Sequence, residues 1–236
     1  EHGIPQEVPA ALIEGFAWDA LLRRYETLDD LLAYATRVAG TVGVMMALVM
    51  GEARPAQLAR ASDLGIAMQL TNIARDVGAD AALGRVRLLE AADEFYLRAE
   101  RGLNDLPAAC RPSMMAARYL YAEIGNEVAR RGFDSVSQRA VVSGGRKLLL
   151  LGRALWSSLP AALGDQAAPA PAAEFLIRAV LLRRAPSRLR AVAARPQVGD
   201  TGAQAPGLAP WWNFPARVER ALELFERLDR IQRGLT

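Results

Sequence analysis

The sequence contains one histidine, one cysteine and one lysine among 236 residues. With His2 alone near the start, histidine acid/base chemistry and histidine-rich metal sites fall away, which leaves carboxylates, tyrosines and arginines to do any chemistry. Cys110 has no partner for an intrachain disulfide, so a reducing compartment is compatible. Because Lys147 is the only lysine, the cations are almost all arginine, a residue suited to bidentate phosphate contacts. Net charge is only +3, and no basic run is interleaved with aromatics, so no nucleic-acid partner is expected. Val/Ile/Thr alternation is scarce, and no Asn-Gly or Asp-Gly pair marks a hairpin. The longest apolar run, Val42 to Met50, is too short to cross a bilayer, and nothing resembles a signal peptide. The chain opens on Glu1 rather than Met, so sequence ahead of it is expected. What remains is rich in alanine and leucine and 52% hydrophobic, which predicts one large all-α domain.

One stretch, Gln69-Leu-Thr-Asn72-Ile-Ala-Arg75-Asp76-Val-Gly-Ala-Asp80, carries polar groups at fixed spacing in an apolar segment. At about 100° per residue, Gly65, Gln69, Asn72, Asp76 and Asp80 share one side of a helix while leucines, isoleucines and alanines cover the others. Two carboxylates four residues apart repel unless a cation sits between them. A hard divalent ion that takes one or two carboxylates and fills its shell with water and phosphate oxygens suits this stripe, with Gly65 leaving room beside it. A solvated helix face near a C-terminus at Gly78 is the competing reading.

Along the chain, Pro5 and Pro9 lead into a helix over Ala11 to Arg24. Thr27 with Asp30 has the spacing of a capping box, which makes Asp29 and Asp30 a helix start rather than a catalytic pair. A long helix is expected from Leu28 to Met50, with Tyr34, Val38, Thr41, Val42, Met45 and Val49 on one face and Gly40 with Gly43 allowing close packing. The striped helix runs from Pro55 to Val77 and a turn from Gly78 to Gly84. Helices follow over Ala91 to Leu103, Pro112 to Arg131, Val136 to Leu159 and Glu174 to Ala194, the last interrupted at Pro186. Pro160 to Pro171 and Gln197 to Pro210 read as linkers. Six arginines from Arg178 to Arg195 would suit an anionic surface, though a solvated helix explains them as well. The amphipathic segment Arg217 to Arg233, preceded by Trp211, Trp212 and Phe214, needs a surface to lie on.

Together, Tyr34-Ala-Thr-Arg-Val38-Ala39-Gly-Thr-Val42-Gly43, the Gln69 to Asp80 stretch and Gly84-Arg85 resemble the squalene and phytoene synthase family. Tyr96 to Gly102, Ala116 to Ile124, Arg139 to Ser143 and Arg146-Lys147 resemble its bacterial phytoene-forming branch. The resemblance spans residues 15 to 155. It implies an isoprenoid synthase fold around a central cavity, with residues 1–160 as the core and 161–236 packing on that core or on a membrane. It also implies head-to-head joining of two geranylgeranyl diphosphates, through a cyclopropyl diphosphate, to phytoene, with magnesium or manganese and without NADPH. By the same resemblance, Asp76 and Asp80 with Asn72 would hold the metal, and Gln69 and Asn72 would place the prenyl diphosphate. Tyr34 would serve ionisation and proton transfer, and Tyr121, Arg139 and Arg75 would lie near the diphosphate. Val38, Ala39, Val42, Gly43 and Met46 would line the hydrocarbon channel. The implied setting is cytoplasmic, at the inner face of the cell membrane, in contact with downstream carotenoid enzymes.

Two departures stand out. The family's first aspartate-rich motif has no counterpart upstream, because Glu26 and Asp30 lie too close to Tyr34. After Gly84-Arg85-Val86 the family continues for a few tens of residues before its next helix, whereas here Arg87-Leu-Leu runs straight into Glu90 to Tyr96. Alternatives therefore stand beside phytoene formation: squalene or presqualene diphosphate from farnesyl diphosphate, and a non-catalytic relative acting as an assembly partner.

Overall fold

A computed structural model describes residues 2–76, 82–103, 105–132, 140–158 and 168–185. Among them the regular elements are helices: α1 (Glu7–Ala20), α2 (Leu28–Ala35), α3 (Thr41–Val49), α4 (Pro55–Asp76), α5 (Ala82–Leu103), α6 (Arg111–Arg130), α7 (Gly144–Ser157) and α8 (Glu174–Arg184). The expected all-α class is therefore what the described residues build. The capping box forms as its spacing predicts: Thr27 Oγ1 accepts from the Asp30 amide at 3.1 Å, and the Thr27 amide donates back to Asp30 Oδ2.

A π turn, Thr36–Gly40, joins α2 to α3 without a break, so that Leu28–Val49 is one 22-residue helix. By length and composition this helix could cross a bilayer, which the uninterrupted apolar run alone does not suggest. It packs instead against α1 and α4, closing Val44, Ala47 and Leu48 into the core. The π turn's wider pitch shifts the helix register relative to a uniform helix. The expected face of Tyr34, Val38, Thr41, Val42, Met45 and Val49 is split. Val38 and Val42 turn toward a cavity together with Ala39, Gly43 and Met46, whereas Thr41 is buried against the Arg37 carbonyl and Val49 is exposed.

α4 is the hub, touching α2, α3, the π turn, α5, α6 and α8. Its Leu58, Ile66, Ala67 and Leu70 are closed to solvent. Small residues set its distance from the Leu28–Val49 helix. A Cβ on Gly43 would collide with the Ala61 carbonyl, and one on Gly65 with the Ala39 carbonyl. Gly65 therefore does not leave room for an ion, as the sequence suggested; the neighbouring backbone occupies that side.

Polar pairs tie the outer helices to this hub. Fully buried Asp63 accepts from Arg98 Nε at 3.0 Å and faces Arg60 Nη2 at 3.2 Å. Both arginines also donate to the Ala168 carbonyl, which pins the segment before α8. α8 itself buries Leu176, Ile177 and Val180 in the same core. Between α6 and α7, Glu123 accepts from Arg146, Arg130 and Asn126. Burial pushes the Glu123 carboxyl up, yet these donors outweigh it and hold it below its usual range.

Several boundaries differ from expectation. The first helix ends at Ala20, and α5 begins at Ala82, so Gly84 is helical. The helix expected from Val136 starts at Gly144, because Ser143 adopts extended backbone and its Oγ accepts from the Arg146 amide. Residues Asp80 and Arg139, and the segments 197–210 and 217–233, lie outside the described residues.

Two stability measurements follow. Gly65→Ala should lower stability by about 3 kcal/mol in thermal unfolding, since backbone must yield, whereas Gly152→Ala, with open space around it, should be neutral or stabilising. Equal effects at both sites would contradict the tight crossing. Glu123→Gln should cost about 2 kcal/mol at neutral pH. Because the folded carboxyl titrates below its ordinary value of 4.5, its contribution is complete above that value and is lost as pH falls through the lower folded one. Wild type and variant should therefore converge in acid.

Candidate functional site

Between the Leu28–Val49 helix, α4, α5 and α6 lies a cavity of about 290 Å³. Its walls are Val38, Ala39, Val42, Gly43 and Met46 on one side, and Leu64, Gly65 and Met68 of α4 on the other. Ala99, Gly102 and Leu103 of α5, with Leu106 and Met114, close the far side. The polar members of the lining are few: Gln57, Arg60, Gln69, Asn72 and Tyr121. Gln57 is turned away, its Nε2 donating to Asp105 Oδ2, and Arg60 is engaged with Asp63. Mostly apolar walls with a few convergent polar groups are the general pattern of a small-molecule pocket.

The structure thus brings eight residues singled out from sequence onto one cavity: Val38, Ala39, Val42, Gly43, Met46, Gln69, Asn72 and Tyr121. Along α4 the polar stripe faces this space, so it is a cavity wall that becomes wetter toward Asp76. Asp76, one turn beyond Asn72, is exposed and is the last described residue of α4. Arg75 Nε and Nη2 reach its two oxygens at 3.0 and 3.2 Å, a forked pair at the surface. Arg75 also lies within the electrostatic reach of Tyr121, which connects the pair to the cavity wall. Residues 77–81 lie outside the described residues, and with them the helical relation expected between Asp76 and Asp80.

Tyr34 does not line the cavity. It sits beside it, its hydroxyl donating to Asp19 Oδ2 at 2.9 Å with the Gln69 side chain nearby. Its ring stacks on Tyr25 with centroids 4.9 Å apart, and Trp18 lies beyond. Arg37 covers the Trp18 ring at 4.3 Å and pairs with Glu14 at 3.2 Å. Burial first, then the Asp19 carboxylate, raise the Tyr34 pKa well above that of a free phenol, so the hydroxyl keeps its proton across the whole working range. Sequence reasoning missed Asp19, Tyr25, Trp18 and Arg37. Asp19 closes α1 fifteen positions before Tyr34, a separation that no helical or strand period links.

A divalent metal can be judged against the donors present. Among the described residues no three acidic, histidine or cysteine side chains cluster. Asn72 and Asp76 nonetheless offer hard oxygen donors on successive turns of α4, the type of partial set that magnesium completes with waters and phosphate oxygens. Both Asp76 oxygens are engaged by Arg75, so an ion there would have to displace that pair.

Removing the Asp19 carboxylate should lower the Tyr34 pKa. Ultraviolet titration of Asp19→Ala, with Tyr34→Phe variants as references, should place the Tyr34 midpoint at lower pH than in the parent chain. An unmoved midpoint would refute the contact.

Known proteins bear on this site. The squalene/phytoene synthase family model matches residues 1–88 and 86–146. The phytoene synthase of Cereibacter sphaeroides is 42% identical over 240 residues, which cover 86% of this chain and 64% of that protein. The 15-cis-phytoene synthase of a Paracoccus species is 43% identical over 193 residues, 68% of this chain and 64% of its own. A crystal structure of a dehydrosqualene synthase in complex with ligand superposes with a TM-score of 0.56 at 27% identity, covering 62% of each chain. This chain therefore spans a little under two thirds of the length of these relatives. The two matched segments overlap at residues 86–88, and the first alignment is longer than the chain itself. Helix, cavity and sequence agree: the chain belongs to the squalene/phytoene synthase family.

Proposed function

We propose that this chain is a prenyltransferase that joins two geranylgeranyl diphosphates head to head, through a cyclopropyl diphosphate, to phytoene. The observation that carries the reading is the apolar cavity between the Leu28–Val49 helix and α4, whose wall turns polar at Gln69 and Asn72 just before Asp76 and Arg75. The phytoene synthases above support the choice of reaction, and their names apply to this chain only as part of this proposal.

Allylic ionisation leaves a carbocation that water would quench, so the hydrocarbon must lie in a dry space without strong nucleophiles. Val38, Val42, Met46, Leu64 and Met68 supply apolar walls without a nucleophile, with Val42 and Met46 still 42% and 46% exposed. The departing diphosphate needs positive charge and hydrogen-bond donors at the other end. Magnesium or manganese, held by Asn72 and Asp76 with Asp80, would neutralise the diphosphate as it leaves. The Arg75 guanidinium, now paired with Asp76, would turn to phosphate oxygens once the carboxylate takes a metal. Gln69, beside Tyr34, would orient the diphosphate. Tyr34, protonated at working pH and braced by Asp19, would hold a proton beside the ionising centre, and Arg139 would add a further cation. No step calls for NADPH. A hydrocarbon product needs a lipid sink, so the reading includes cytoplasmic protein at the inner face of the cell membrane, passing product to downstream carotenoid enzymes.

A shorter substrate is the second reading. A cavity of about 290 Å³ lies at the small end of ligand pockets, and the similar crystal structure is a dehydrosqualene synthase. Incubating the chain with labelled geranylgeranyl or farnesyl diphosphate and magnesium separates the two, with phytoene from the longer substrate as the expected result. Product from farnesyl diphosphate alone would select the second reading, and no condensed product from either would overturn both. Asp76→Ala should reduce turnover by about a hundredfold or more while leaving unfolding unchanged, since the side chain is exposed. Near-normal turnover would remove Asp76 from the site.

A further inference from the structure

α7 is attached to the body along a narrow line. Leu150 and Ala154, one turn apart, are its only buried side chains, and it rests chiefly on α6. Opposite that line, Leu148, Leu149, Leu151, Leu155 and Trp156 all face outward; Leu148 is 72% exposed and Trp156 79%. Placed at about 100° per residue, these five side chains and Gly152 fill an arc of roughly 160° centred opposite the attachment line. Cations stand at both edges of the arc: Lys147 on one side, Arg146 and Arg153 on the other. The helix has no acidic residue. Arg146 is tied to Glu123, and the Arg153 guanidinium lies over the Tyr119 ring at 4.4 Å, so both are held at the rim in fixed positions.

No described residue covers this face, and contiguous exposed leucine and tryptophan on that scale mark an interaction site. Its chemistry selects the partner. A second copy packed face to face would bring like-charged rims together, which costs energy. A surface that is apolar within and anionic at its boundary satisfies both parts of the pattern, as it does for helices that lie in the plane of a bilayer. We infer that the outer face of α7 seats the protein on an anionic membrane, with the leucines and Trp156 in the acyl boundary and Lys147, Arg146 and Arg153 among lipid phosphates. This deepens the membrane contact proposed above by assigning it to α7 rather than to the arginine-rich and C-terminal stretches that the sequence alone suggested. It does not depend on turnover.

The test is co-sedimentation of the whole chain with vesicles, either phosphatidylcholine alone or an equimolar mixture with phosphatidylglycerol. Binding to the anionic vesicles should exceed binding to the neutral ones and weaken with salt. Leu148→Glu with Trp156→Glu should reduce it at least tenfold, and Lys147→Gln about fivefold, with helix content unchanged. Three results would overturn the inference. One is no binding by the parent chain, and another is equal binding by parent and double variant. The third is a parent dimer that the double variant converts to monomer without any change in vesicle binding, which would assign the face to a second copy. Condensation activity assayed in detergent separates this outcome from failure of the catalytic reading, because α7 lines no part of the cavity.

Discussion

The site depends on how closely two helices approach. Gly43 lies against the Ala61 carbonyl and Gly65 against the Ala39 carbonyl, so the Leu28–Val49 helix and α4 meet backbone to backbone at two points. With that contact fixed, the larger side chains around it, Val38, Val42, Met46, Leu64 and Met68, cannot interdigitate fully and instead wall a space. The same crossing fixes the direction of α4, and hence where Gln69, Asn72 and Asp76 lie relative to the cavity. Core and site are one arrangement here: loosening the crossing would both lower stability and misplace the polar end.

Charge is distributed along that axis. The far end is apolar, and its one charged lining residue, Arg60, is engaged with buried Asp63. The near end has a protonated phenol braced by a carboxylate, a side-chain amide between phenol and cavity, and an arginine held by an aspartate on the last described turn of α4. That gradient suits a ligand with a hydrocarbon body and an anionic head. The forked Arg75–Asp76 pair keeps both charges in place at the rim, where a cation for the one and a phosphate for the other could replace it.

Much of this was legible from residue order. The scarcity of strand signals gave the helical class, the Thr27–Asp30 spacing gave a helix start, and the i, i+3, i+4 pattern placed Gln69 and Asn72 on one face. The cavity residues Val38 to Met46 came from the family resemblance, not from periodicity. Periodicity grouped Met45 with Val38 and Val42, whereas the cavity wall holds Met46, the residue that the resemblance named, and Met45 packs against the core. Gly65 looked like empty space because sequence does not show what packs against a missing side chain. Asp19 and the Trp18, Tyr25 and Arg37 cluster are products of tertiary contact between α1 and the next helix, without a local signal. The exposed arc of α7 was hidden inside a helix read as starting eight residues too early, since Ser143 as its cap is apparent only once the backbone before it is seen to be extended.

The central claim is that the space between the Leu28–Val49 helix and α4 receives a prenyl chain with its diphosphate toward Asn72 and Asp76. A crystal structure with magnesium and a geranylgeranyl thiodiphosphate, in which sulfur replaces the bridging oxygen and blocks ionisation, tests it most directly. Hydrocarbon density is expected between Val42, Met46 and Met68, with phosphate oxygens and metal beside Asn72 and Asp76. A chain bound elsewhere with this cavity empty, or a diphosphate at the Leu103 and Leu106 end, would contradict it.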